Sequence, residues 1–179
     1  MMKTSDTPFS QSSVSLNENT TGGASICSRV FNTEAGYAPI ILRVGLATVL
    51  FPHGAQKLLG WFGGYGFEGT VGFLTSSMGL PWIVAVAVIL IEFFGPLFLL
   101  AGVGTRIVAL AMGSVMTGAM FMAQVQHGFF MNWFGNQAGE GIEYSLLFIS
   151  GALALIISGG GAFSVDRILA RLLRKNDAA

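Results

Sequence analysis

Glu92 stands at the midpoint of an apolar run, residues 82–102, in which every other side chain is uncharged. In hydrocarbon a carboxylate costs on the order of 2.5–3.5 kcal/mol even on lenient insertion scales, so it has to face other helices and find a partner or a proton. The preceding apolar run, residues 37–59, carries Arg43 near its start and His53, Gln56 and Lys57 near its end. At 1.5 Å per residue, Arg43 lies roughly 7 Å into that helix and His53 roughly 22 Å, with Glu92 near 15 Å on the returning one. The spacing leads us to expect Glu92 inside the bundle, in a structural ion pair with Arg43 or against the His53 side of the first helix. A second cluster falls at the far end. His53 and Lys57 are one helical turn apart with Gln56 beside them, His127 closes the third apolar run, and Glu140 and Glu143 open the fourth. Read separately, Arg43 and Lys57 snorkel to headgroups and the glutamates favour the positive end of a helix. Read together, His53, Gln56, Lys57, His127 and Glu143 form a polar pocket able to hold a quinone head group or relay protons. Glu92, His127 and Glu143 are then the candidates for proton transfer.

These residues need a scaffold, and the composition says which kind. Of 179 residues 53% are hydrophobic and 10% charged, whereas a soluble domain carries roughly 25% charge. Four stretches reach the ~20 apolar residues that a membrane helix requires, at residues 37–59, 82–102, 107–126 and 141–160. The expected fold is therefore an all-α membrane protein, a bundle of four transmembrane helices, over residues 37–163. In the loop 62–81, Phe67, Val71, Leu74 and Met78 recur at helical spacing and predict a short interfacial helix in the first outer loop. The loop 127–140 holds Phe129, Phe130, Trp133 and Phe134, the aromatic composition of headgroup depth. In the third run Ala109 and Gly113, and Ser114 and Gly118, are spaced as helix-packing faces.

Charge placement gives an orientation. Lys3, Arg29, Arg106, Arg167, Arg171, Arg174 and Lys175 fall on one side and Lys57 on the other, which puts both termini in the cytoplasm of a bacterial inner (plasma) membrane protein. Residues 1–36, rich in Ser, Thr and Asn and without a secretory h-region, read as a disordered cytoplasmic tail, and 164–179 as a basic amphipathic cytoplasmic stub. Nine basic against nine acidic residues suggest no nucleic-acid partner. Cys27, the single cysteine, lies in the tail and excludes an internal disulfide or CxxC pair. Two histidines and the nearby glutamates lack His-x3-His or similar spacing, so no metal site is expected, and no motif points to a covalently bound cofactor.

The order of several short motifs is more specific than any one of them. Arg43 is followed by Gly54-Ala55-Gln56-Lys57-Leu58, then Glu92-Phe93-Phe94-Gly95-Pro96 leading to Leu100-Ala101-Gly102 and Thr105-Arg106, then His127-Gly128 and Gly141-Ile142-Glu143. In this the chain resembles the DoxX family of small bacterial membrane proteins, over about residues 38–163. The resemblance implies a four-helix inner-membrane protein, with relatives linked to thiosulfate:quinone oxidoreduction and to membrane complexes for oxidant and thiol stress. It marks Arg43, Gln56, Lys57, Glu92, His127 and Glu143. The leading functional expectation is an accessory subunit of a membrane oxidoreductase or redox-stress complex. Its partners would be the lipid bilayer, a redox protein and further copies of the chain. A quinone-linked oxidoreductase acting on small sulfur compounds is the alternative from another class, and a proton-coupled small-solute transporter a third.

Overall fold

The computed structural model describes residues 36–176; the expected tail, with Lys3, Cys27 and Arg29, lies outside them. Every element among the described residues is helical. Helix α1 (Ala38–Leu59) opens with Pro39 in its first turn, where a missing N–H costs nothing, and stops at Gly60 with φ 72°. After a short 3₁₀ turn comes α2 (Gly66–Gly72), which runs on as a wider π turn over Phe73–Ser77. A short helix thus forms where the spacing in residues 62–81 predicts one. Helix α3 (Trp82–Ala101) and α4 (Thr105–Ala119) are joined by Gly102-Val103-Gly104, whose glycines take φ 68° and 56°. A side chain at either would strain the turn, so the tight hairpin needs both. Helix α4 continues through Met120–Gln124 and Val125–His127 as π and 3₁₀ turns. Helices α5 (Glu143–Ser158) and α6 (Val165–Asn176) complete the chain.

The helices α1, α3 and α4, the last counted through His127, are long and apolar enough to cross a membrane. The fourth expected span is shorter than its sequence. Helix α5 has 16 residues, about 24 Å against a hydrocarbon core of about 30 Å. Its ends are claimed by other structure. The Ile142 and Glu143 N–H groups donate to Gly128 and Phe129 carbonyls of the preceding loop, and Gly159, at φ 74° and ψ −162°, leaves the helix.

Each long helix packs on its neighbours, α1 on α3, α3 on α4, α4 on α5, and α5 back on α1. Ala47 and Leu50 of α1, Leu99 of α3, Ala109, Met112 and Met116 of α4, and Phe148 and Leu155 of α5 form one buried core. The outward faces are apolar too. Ile41, Ile83, Leu110, Phe121, Leu147 and Ile157 are each more than half exposed, a surface that suits lipid and not water. One of the two small-residue stripes on α4 packs as expected, with Ala109 buried and Gly113 set against Ala152 of α5. The other, Ser114 and Gly118, does not pack at all and borders an open cavity.

Candidate functional site

The site begins with a glycine. A Cβ on Gly54 would fall into the α3 backbone at Glu92 and Phe93, so only hydrogen there lets α1 and α3 close to backbone contact. That contact sets the antiparallel register by placing Gly54 level with Glu92. Arg43 is 11 residues further down α1, roughly 16 Å from that level. The expected Arg43–Glu92 ion pair is therefore not made. Lys57 takes that place, one turn above Gly54 on the same face, and its four-carbon stem reaches back so that Nζ forms an ion pair with Glu92 Oε2. Glu92 is 4% exposed, and the Lys57 side chain is about one-third open. The expectation that Glu92 faces the bundle and meets the His53 side of α1 holds in this form, through Lys57 and not through the histidine.

The ion pair closes one end of a cavity of about 680 Å³. Thr70, Phe73, Leu74 and Met78 of the α2 segment cover it, Val84, Ala87, Val88 and Ile91 of α3 form one wall, and Ala111, Val115, Ala119 and Met122 of α4 the other. Gln56 borders the same end, with its Nε2 donating to Phe62 O at 3.3 Å. Ser114 and Gly118 contribute little volume where a larger pair would fill the space, and a Cβ on Gly118 would meet nothing within 4 Å. The result is a long apolar chamber with an ammonium and a carboxylate at one end. Such a chamber accepts a molecule with an apolar body and a polar oxygen-bearing head. A lysine ammonium has three donors, and the pair with Glu92 leaves others for a ligand oxygen.

The remaining sequence candidates lie elsewhere. His53 is exposed, and neither it, His127 nor Glu143 lines the cavity. His127 sits over Gly139, whose missing side chain makes room for the ring, and its Nε2 is 3.4 Å from Gln126 Nε2. Glu140 accepts from the Asn132 N–H at 2.8 Å, and Glu143 stands in the first turn of α5, where a negative charge suits the helix dipole. These side chains thus lie in or beside the loop between α4 and α5 and do not join Gln56 and Lys57. Among the described residues no three His, Cys, Asp or Glu side chains gather as a metal site would require.

Arg43 belongs to a separate buried node. It is 2% exposed, its Nη2 donates to Phe163 O at 3.3 Å, and a Cβ on Gly102 would run into its guanidinium. Asp166 supplies the opposing charge, and its carboxylate accepts from the Gly104 and Thr105 N–H groups at 2.7 and 2.8 Å, capping α4 from 61 residues away. Residue-by-residue reading of the sequence missed Asp166, although an acid opening an otherwise basic helix was a visible signal. Tyr144 was missed as well. Its hydroxyl is buried without a hydrogen-bond partner and within Coulombic range of Glu92.

Residues 38–125 match the DoxX family model, a span that contains every residue lining the cavity. The inner membrane protein YqjF of Escherichia coli (strain K12) is 34% identical over 116 residues, which cover 62% of this chain and 79% of that protein. This chain belongs to the DoxX family. Another relative, named "Putative oxidoreductase CatD", from Bacillus subtilis (strain 168), is 27% identical over 127 residues, 71% of this chain and 83% of that one. No solved structure matches the chain. Within the DoxX-matched span both members of the ion pair, Lys57 and Glu92, and the glycine that brings their helices together fall on α1 and α3, while α5 and α6 lie beyond it.

Proposed function

We propose that this DoxX-family chain is a bacterial inner-membrane subunit of an oxidoreductase or redox-stress complex, and that its part is to hold a quinone head group against Lys57 and Glu92. The single observation that carries the reading is the apolar cavity of about 680 Å³ ending in a buried ion pair. Its size falls within the range of small-ligand pockets and suits a ring with the first units of a lipid tail. A quinone gains negative charge on oxygen as it is reduced, and an ammonium in an apolar site stabilises that charge. The neighbouring carboxylate can exchange the proton that quinol formation needs. Cys27 is the one cysteine, so electrons would come from a partner protein. The relative named as an oxidoreductase agrees with this class. In the proposed topology α1, α3, α4 and α5 cross the bilayer, α2 lies at the outer interface, and both ends of the chain are cytoplasmic.

A short-chain quinone analogue titrated into purified protein in nanodiscs tests the reading. Lys57→Met and Glu92→Gln should each weaken binding about tenfold or more, the loss of one charge-assisted hydrogen bond, while His127→Ala should bind as the parent does. Unchanged binding in both cavity variants, or loss in His127→Ala alone, would overturn it.

A further inference from the structure

Helix α6 is buried against the bundle at its beginning. Ser164 and Asp166 are 1% and 2% exposed, and Asp166 fixes the first turn to the start of α4. Beyond that turn no side chain from Arg167 to Lys175 is buried. Val165, Ile168, Leu169, Leu172 and Leu173 recur at three- and four-residue steps along one stripe, and all five are exposed. Arg167, Arg171, Arg174 and Lys175 fall on the other side at the same periodicity. A 12-residue helix is marginal on its own in water, so an apolar stripe of this width calls for a covering surface.

The position of the helix says what that surface is. Asp166 caps α4 at the α3–α4 turn, so α6 starts where two apolar helices end, at the depth of a headgroup layer. Phe163, 82% exposed just ahead of it, continues the same apolar surface. We infer that α6 lies along the bilayer surface and binds anionic phospholipid, its leucine stripe among the upper acyl chains and Arg167, Arg171 and Lys175 against headgroup phosphates. The apolar face suits any lipid interface, and the flanking cations add an attraction that only a negatively charged one supplies. A soluble acidic partner would match the cations but would leave the membrane-level stripe without a role. The inference does not depend on what the cavity binds.

Hydrogen–deuterium exchange of the whole protein in nanodiscs tests it, with phosphatidylcholine alone compared with a phosphatidylcholine–phosphatidylglycerol mixture. Backbone amides of residues 168–176 should exchange at least fivefold more slowly in the anionic discs, with the α3 and α4 amides unaffected. Arg171→Glu with Lys175→Glu should abolish that difference, and Leu172→Gln should speed exchange in both lipids. Equal exchange in the two lipids would overturn the inference. So would protection that appears only at high protein concentration, which would mark a second copy as the covering surface, or only on adding a cytosolic extract, which would mark a soluble partner.

Discussion

Two charged sites in this chain, one around Arg43 and Asp166 and one at Lys57 and Glu92, differ in what lies beside them. Beside the α3–α4 turn Arg43, Thr105, Ser164 and Asp166 are each no more than 2% exposed, and the Asp166 oxygens are taken up by backbone N–H groups. Around Glu92 the burial is similar, yet its partner is a side chain and the space beside the pair is open over about 680 Å³. Burial of charge alone is thus a poor guide to a site. What distinguishes the Lys57–Glu92 pair is the volume next to it.

Mutation should divide the two regions in the same way. The largest effect is expected at the Arg43 node, where Asp166→Ala would uncap α4 and strip Arg43 of an opposing charge, at a cost of about 3 kcal/mol. Thermal unfolding in detergent should show the loss, with quinone-analogue affinity unchanged in the protein that remains folded. A weaker affinity there would mean that the two regions are coupled and would break the comparison. At the Lys57–Glu92 pair, Glu92→Gln should cost less, about 1–2 kcal/mol, because Lys57 is partly open and can turn away from the bundle. The double variant Lys57→Met with Glu92→Met should recover most of that stability while leaving the analogue unbound. The smallest effect on the fold is expected from Gly118→Leu, which fills empty space and replaces a mid-helix glycine, a gain of up to about 1 kcal/mol. Blocked binding in a more stable protein would sharpen the comparison, and a destabilised one would show that the cavity is not free volume.

Much of this was legible in the residues. Apolar run length located α1, α3 and α4, and the cost of a carboxylate in lipid was enough to place Glu92 inside. The partner of Glu92 was misjudged because depth was counted from helix starts, as though both helices began at one level. The register is set instead by the steric fit at Gly54, and a glycine gives no polar signal of its own. The outer pocket was half legible. Gln56 and Lys57 line it, but His53, His127 and Glu143 were grouped with them by depth alone, and depth does not fix the direction in which a side chain faces. Asp166 and Tyr144 escaped for a third reason, since the groups that give each its meaning, the Gly104 and Thr105 N–H groups for one and Glu92 for the other, stand on elements far away in the chain. The cavity is an absence of side chains, and the stripe of Ser114 and Gly118 that leaves it open reads in sequence as a packing face.

The cap on α4 also sets an order of events. Gly104 and Thr105 wait for a carboxylate 62 and 61 residues downstream. During synthesis the α3–α4 hairpin therefore enters the membrane with its turn unfinished, and Arg43 has no counter-charge from that quarter. Only when residue 166 has been made and folded back is that end of the bundle closed, so the first turn of α6 acts as the latch on α1 and on the α3–α4 turn.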